Sequence, residues 1–471
     1  GGGGREAEYF WSKRGGDHFS SSSTVYTAPT DFSSGPTWVW NNELGEQVRH
    51  TPLIDNNMNI YVSTPIRIRK FSSEGKLLWK FENEHSHGKF ISSPAIDKGT
   101  LYAMSWGEAA GIGFWITAID MESGTMKWEK HHDKFVNGDA TSILVYNSTI
   151  FVPTRDHKES RHVVHGDDGN NVVTALLSTD GSHLWDYIAD DIHWNFMPAT
   201  PGDGSLLWSS QCGGVYRITF TGELMWRSGR DNPGHWCGCG GGTLGPNGVF
   251  YAEFHDYDHP EGLGHVAAYQ VSDGTKLWEK HFGPLEGVKY PSFGKFDWTN
   301  EFSNHINLLG QTGGHQYPSV GRLEKDGPLT VVAALGGAAG SSPLLMGFPS
   351  IFCWFYDRFP LLRRILLRSY MGVPGFPNMV VAMDAKTGKE RWRWFEGISD
   401  RLEAVGDEGF HVAERYNKAQ EAVKSNPNFE GLANIDLQCL PDNMAIPMIA
   451  GDGTIYAGSS RQGNLFAIKD K

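Results

Sequence analysis

Short stretches of alternating apolar and polar residues recur along the chain, and one kind always ends the same way. An alternating run is followed by one or two polar residues, Gly, three residues and Trp. It reads RKFSSEGKLLWKF (Gly75, Trp79), TAIDMESGTMKWEK (Gly124, Trp128), TALLSTDGSHLWDY (Gly181, Trp185), RITFTGELMWRS (Gly222, Trp226), AAYQVSDGTKLWEK (Gly274, Trp278) and VAMDAKTGKERWRW (Gly388, Trp392). Period-two alternation predicts strands, and a Ser-Gly, Asp-Gly or Thr-Gly tip supplies the positive φ of a tight turn, so each copy predicts a hairpin. A second phrase precedes each hairpin: a small residue or Pro, an apolar pair, a turn and an apolar-aromatic strand. Examples are TPLIDNNMNIYVS, SSPAIDKGTLYAMS, TSILVYNSTIFVP and IPMIAGDGTIYAG, and it occurs seven times. Two hairpins make a four-stranded antiparallel sheet, which is a propeller blade.

The seventh opening phrase has no Trp strand after it, because the sequence ends at NLFAIKDK. The missing fourth strand is expected from GPTWVW near the start, with Trp38 or Trp40 in the Trp position; Trp40 is assigned to it. Pairing of this N-terminal strand with the C-terminal blade would close the ring and remove its free ends. The prediction is therefore all-β: a seven-bladed β-propeller formed as a single domain over residues 1–471, with room for an eighth blade in the long interval 279–378.

Composition fits this reading. Gly is 58 of 471 residues, Trp is 17, aromatics are 13% and charged residues only 20%, a mixture suited to many short strands and tight turns rather than to helices or disorder. The net charge of −13 excludes nucleic acid as a partner at whole-chain level. Five cysteines are too few for a disulfide scaffold, and no run reaches the ~18–20 apolar residues of a spanning helix.

The phrase A-x-D-x-x-[ST]-G-x-x-x-W resembles the tryptophan-docking repeat of pyrroloquinoline-quinone (PQQ)-type propellers. TAIDMESGTMKW and VAMDAKTGKERW carry it almost in full, and the resemblance covers nearly the whole chain. It implies a propeller in which each Trp packs between neighbouring blades: Trp40, Trp79, Trp128, Trp185, Trp226, Trp278 and Trp392. It does not by itself imply an enzyme. The family includes quinoprotein dehydrogenases, which bind PQQ and calcium, and cofactor-free propellers of bacterial outer-membrane assembly.

Two inserts interrupt the repeats. The first, 337–377, contains PLLMGFPSIFCWFYDRFPLLRRILLRSYM (343–371). Phe352, Trp354 and Phe355 lie in its apolar half. On a helical wheel Leu361, Leu362, Ile365 and Leu366 share one face with Arg363, Arg364 and Arg368 opposite, and Arg358 adds a further positive charge. The segment fits an interfacial anchor or a partner-docking element, and equally a lid folded on the ring's own flank. The second insert, 397–440, steps Phe410, Ala413, Tyr416, Ala419 and Val423 at helical spacing, which predicts a helix packed on the rim.

Candidate chemistry is sparse. Quinoprotein dehydrogenases of the resembling family pair PQQ with calcium, and their alcohol-oxidising members carry adjacent cysteines; this chain has Cys237-Gly238-Cys239 instead. Asn232-Pro233 with Trp236 resembles the calcium-binding Asn-Pro…Trp of those enzymes, and Asp-Asn-Pro-Gly turn chemistry accounts for the same residues. Cys237 and Cys239 with His235 are candidate metal ligands, although the spacing lacks the usual two-residue gap. A disulfide from one of them to Cys212, or plain buried thiols, are the other readings. Asp167 and Asp168 with Asn170 form either a surface turn or a calcium loop. HHDK at 131 reads as a solvated loop, and Asn147-Ser148-Thr149 as an acceptor sequon in a turn.

Intact repeats, incomplete cofactor signatures and a basic-apolar insert together predict a non-catalytic scaffold or accessory subunit. It would have no cofactor, and its partners would be protein subunits of a larger membrane-associated complex, with peripheral membrane contact through 343–371. The family resemblance places it in an extracytoplasmic or organellar lumen. The alternative is a PQQ- and calcium-dependent oxidoreductase.

Overall fold

The structure, a computed structural model, describes residues 9–31, 33–35, 38–39, 48, 50–64, 66–82, 90–106, 113–134, 136, 142–155, 170–193, 196–210, 213–229, 241–255, 264–282, 312–313, 317–337, 358–366, 376–399, 446–459 and 464–469. Their strands form seven sheets whose pairs are all antiparallel, one for each opening phrase. From the inner strand outward, blade 1 is Leu53–Ile54, Ile60–Ser63, Arg67–Phe71 and Leu77–Glu82. Blade 2 is Ala95–Asp97, Thr100–Trp106, Phe114–Asp120 and Met126–His132, and blade 3 is Leu144–Tyr146, Thr149–Thr154, Val172–Leu177 and His183–Ile188. Blade 4 has Ser205–Ser209, Gly214–Thr219 and Leu224–Gly229, its inner strand reduced to a bridge between Ala199 and Leu207. Blade 5 is Gly241–Leu244, Val249–His255, Gly264–Gln270 and Lys276–Phe282.

The long interval supplies the start of blade 6 rather than a described eighth blade. Thr312–Gly313 and Ser319–Arg322 both pair with Leu329–Gly337, followed by Phe376–Asp384 and Glu390–Ser399. Blade 7 has Met448–Ile449, Ile455–Ser459 and Asn464–Ile468.

The core is divided among the blade interfaces. One cluster joins blades 1 and 2 around Leu53, Ile68 and Leu101, another joins blades 2 and 3 around Ile116 and Ile150, and the series continues to blades 6 and 7 around Val380 and Ile455. Alternation places one face of each sheet against each neighbour, so blades 2 to 6 are held by burial on both faces.

The Gly–Trp phrase has a direct packing explanation. Gly274 stands at φ +74, and a Cβ there would lie 2.7 Å from the Trp226 ring of the preceding blade. The Trp226 indole Nε1–H donates to the Val271 carbonyl at 2.9 Å, three residues before that glycine. Trp79, Trp185 and Trp278 stand in the same way against Gly124, Gly222 and Gly388, and donate to Met121, Phe220 and Ala385. Trp128 stands against Gly181.

Among the described residues blade 7 has three strands and no pairing with residues 38–39; Trp38 nonetheless lies against Gly75 of blade 1, donates to the Ser73 carbonyl at 3.0 Å and stacks on Phe71 with centroids 5.7 Å apart. Trp38 therefore fills the position assigned above to Trp40, which lies outside the described residues. In blades 1 to 6 the register slips just before the Trp: the strand pairing skips Leu78, Lys127, Leu184, Met225, Leu277 or Arg391. A β-bulge thus recurs in every outer strand that carries the Trp, bending it and increasing its twist.

Candidate functional site

The innermost strand of a propeller blade has one edge paired and one edge facing the axis. Its unpaired N–H groups need acceptors. Here residues 9–26 of the chain itself provide them. In blade 1, Trp11 and Ile54 exchange both backbone bonds, at 2.9 and 3.0 Å. The Ile96 N–H of blade 2 donates to Ser12 at 2.9 Å, Thr200 of blade 4 to His18 at 2.8 Å, and Leu244 of blade 5 to Phe19 at 2.9 Å. Val320 of blade 6 donates to Ser21 and Ile449 of blade 7 to Ser22, both at 3.0 Å. Blade 3 is met through the His18 ring, 5.4 Å from that of Tyr146. Ile54, Ile96, Thr200, Leu244, Val320 and Ile449 all stand two residues after the Pro or equivalent small residue that opens each phrase. One repeat position thus meets one segment in six blades, and the segment runs round the inner edge in blade order.

The segment achieves this path through turns that few residues tolerate. Gly15 and Gly16 have φ of +83 and +93, and Ser20 and Ser22 have +56 and +50. Asp17 Oδ1 accepts from the Phe19 N–H at 3.1 Å, a local bond that favours the turn. Tyr9 joins the core between blades 1 and 2, with Trp11 packed beside it, and Phe19 packs on the core between blades 4 and 5.

Lys13 is only 2% exposed. Its Nζ donates to Ser20 Oγ at 2.5 Å and to the Arg14 carbonyl at 2.9 Å, while Ser20 Oγ donates to the Pro198 carbonyl at 3.2 Å. Burial brings the Lys13 pKa down to about 7, against the opposing pull of Asp17.

A second polar group lies in blade 4. The Asp191 carboxylate is buried and accepts from Ser210 Oγ at 2.5 Å and from the Ile192 N–H at 2.8 Å. Asp190 accepts from the Tyr216 hydroxyl and pairs with Arg227 at 3.2 Å. Burial alone would raise the Asp190 pKa, but those two partners outweigh it and hold it below the usual carboxylate range. Trp208 stacks on Tyr216 at 5.0 Å and its Nε1–H donates to His193 Nδ1 at 3.2 Å; burial holds His193 neutral, with its pKa near 3. Sequence reading missed this group because ADDIHWNF lies between two repeat phrases and matches neither.

The sequence-predicted site residues fare unevenly. Asp167, Asp168, Asn232, Trp236, Cys237 and Cys239 lie outside the described residues, as do Cys212, His235, Phe352, Trp354, Phe355, Arg368 and the helix expected over 410–423. Asn170 is described and buried. A helix does form at Pro360–Leu366, with Leu361 73% exposed and Phe359, Leu362 and Ile365 also exposed; Arg363 and Arg364 lie within it, and Arg358 just before it is exposed.

The reading of HHDK as a solvated loop is corrected. His131 and His132 end the outer strand of blade 2, and His132 is buried and stacked on Phe114 at 4.9 Å. Burial lowers the His132 pKa to about 4. The alternation of that strand simply continues past the point where polarity suggested an end. Asn147 and Ser148 form the tight turn between Leu144–Tyr146 and Thr149–Thr154, at φ +48 and +64.

Seven four-stranded or near-four-stranded blades around a self-filled inner edge define a seven-bladed β-propeller. A family model described as outer membrane protein assembly factor BamB matches residues 31–134. Over those residues the chain is similar to PQQ-like propellers, and its seven-bladed fold agrees with that resemblance.

Among solved structures, quinohemoprotein alcohol dehydrogenase from Comamonas testosteroni shares the fold at a TM-score of 0.51 and 10% identity, over 98% of this chain and 73% of that one. BamB from Moraxella catarrhalis aligns at 0.47 and 11% identity, over 89% of this chain and 88% of that one. A europium-containing methanol dehydrogenase aligns at 0.44 and 12%, over 84% and 82%. No curated protein matches the sequence.

Proposed function

We propose that the chain is a non-catalytic scaffold or accessory subunit that presents its blades to other proteins in a larger, membrane-associated complex. The observation that carries this reading is the inner edge: six blades spend their axial N–H groups on the chain's own segment 9–26. A flat anionic quinone would need a stacking indole and cationic groups around the axis, and calcium would need several oxygen ligands there. Among the described residues the buried cation at the inner edge, Lys13, is committed to Ser20 and to a backbone carbonyl. That commitment turns Lys13 away from an anionic ligand and supports the scaffold reading. A rigid ring of this kind can act by displaying its loops and outer surfaces.

The matched family description, an outer membrane protein assembly factor, supports protein subunits as partners and a place outside the cytoplasm. Among the described residues no helix is long and apolar enough to cross a membrane. The exposed apolar face at Leu361, Leu362 and Ile365, with arginines in the same segment, supports peripheral attachment through 343–371.

The test is a titration of the purified full chain with PQQ and calcium, followed by absorbance and by dye-linked alcohol oxidation. The scaffold reading expects neither a stoichiometric quinone band nor turnover; both together would establish the oxidoreductase instead. Deleting 343–371 should reduce co-sedimentation with anionic vesicles, and unchanged sedimentation would remove the attachment idea.

A further inference from the structure

Blades 2 and 5 end their outer strands with nearly the same sequence, Trp128-Glu129-Lys130-His131 and Trp278-Glu279-Lys280-His281. The strand opposite differs at the two positions that face the Glu and the His of this phrase. In blade 2, His131 faces Trp115 across the pair, with ring centroids 4.4 Å apart, and Glu129 accepts from Thr117 Oγ1 at 3.0 Å. In blade 5 the facing residues are His265 in place of the Trp and Ala267 in place of the Thr. With no hydroxyl to hold it, Glu279 turns to His265, and its Oε1 lies 2.9 Å from His265 Nδ1. His281 closes the group, its ring 4.2 Å from that of His265. One ligand atom from each of His265, Glu279 and His281 lies within 4.8 Å of the others.

We propose that His265, Glu279 and His281 bind a divalent first-row transition ion of the zinc class. Two imidazoles and one carboxylate are a donor set suited to such ions. Metal–ligand bonds of about 2.1 Å place adjacent donor atoms roughly 3.0–3.4 Å apart, so the 2.9 Å between His265 Nδ1 and Glu279 Oε1 needs little adjustment. The frame is rigid: His265 is 1% exposed and stacks on Phe254 at 4.8 Å. Lys276 Nζ takes the other carboxylate oxygen, Oε2, at 2.5 Å, which fixes Glu279 and leaves Oε1 directed at the histidines. Glu279 and His281 are partly exposed, which gives an ion access from solvent.

Binding requires only that the imidazoles give up protons on the ligating nitrogens; no redox change is involved. The three side chains come from two adjacent strands of one hairpin, so the site would also clamp the end of blade 5.

The experiment uses the full chain, freed of metal by chelation and dialysis, with Zn(II) alone as the probe. A competition titration against a chromophoric chelator, repeated with Co(II) for its visible absorption, reads affinity and ligand geometry. The expected result is one tight equivalent that His281→Ala and Glu279→Gln each weaken at least about 100-fold. His265→Trp, which copies the blade 2 residue, should abolish that equivalent while keeping the native melting profile of the metal-free protein. Zn(II) should raise the melting temperature of the wild type and not of these variants. A wild type with no stoichiometric binding overturns the proposal, as do variants that bind as the wild type does. Should one variant fail to fold, the other two and the Co(II) spectrum of the wild type decide the matter.

Discussion

The two edges of each blade meet opposite fates. At the inner edge the N–H groups are bonded to the segment 9–26, in a region that also buries Lys13. At the outer edge the strands that carry the Trp keep a bulge one residue before it, and four of the bulged residues, Leu78, Leu184, Met225 and Leu277, are 45–47% exposed. Both arrangements deal with an unpaired strand edge, the first by covering it and the second by bending it. The difference separates an edge that is already covered from one that is bent but open. The inner edge is occupied by the chain itself, whereas the outer edge offers apolar side chains on strands bent away from simple sheet extension.

The largest effect expected from this contrast is on the inner segment. Removing residues 9–24 takes away Tyr9, Trp11 and Phe19 along with the six acceptors. Large-to-small losses of buried aromatics cost ~3–5 kcal/mol each, so the deletion should lower stability by upwards of about 5 kcal/mol in chemical denaturation. A ring as stable as the wild type would mean that the segment is an ornament.

Next in size is the seat of the Trp. Gly274→Ala combines an unfavourable φ with a clash on Trp226 and should cost ~3 kcal/mol, whereas Gly248→Ala, at φ +72 with open space around its Cβ, should cost only ~1 kcal/mol. Equal losses would show that backbone conformation alone, and not the Trp contact, selects glycine.

Lys13 gives a pH test of the buried edge. Its folded pKa of about 7 lies below the ordinary 10.5, so between those values the unfolded chain holds a proton that the folded one lacks. Stability therefore rises with pH across that window. Lys13→Met should remove this rise, a difference on the order of a few kcal/mol at pH 6 that fades above pH 10.5. A variant with the same pH slope as the wild type would show that the amine is solvated.

The smallest effect belongs to the outer edge. Leu78→Lys, on an exposed bulge, should change stability by no more than ~0.5 kcal/mol. A loss of several kcal/mol there would erase the distinction between the two edges.

Much of the fold was legible in the sequence, and particular residues show why. The four-residue step from Gly to Trp is a packing constraint, since a glycine must lie flat under the indole of the blade before it, and such a constraint leaves a periodic trace. The bulge before the Trp left no trace as a bulge, because its residue is Leu, Met, Lys or Arg according to the blade. The inner segment was invisible. SKRGGDHFSSSST reads as a polar loop, and its conformation is set by acceptor demand from six distant strands rather than by any local period. The choice between Trp38 and Trp40 depended on the same long-range closure. His132 was misread because polarity at a strand end does not reveal that the facing strand places Phe114 over it. The blade 2 and blade 5 hairpins share Trp-Glu-Lys-His but differ in the residues facing the Glu and the His, and only the cross-strand register shows that this difference gathers His265, Glu279 and His281.

The central claim is that the chain fills its own inner edge, and amide hydrogen exchange tests it most directly. The N–H groups of Ile54, Ile96, Thr200, Leu244, Val320 and Ile449 donate to residues 11–22. They should exchange as slowly as amides in the middle of the sheets, and all six should lose that protection together when 9–24 is deleted. Rapid exchange of these six in the intact protein, at the rate of an exposed strand edge, would contradict the account.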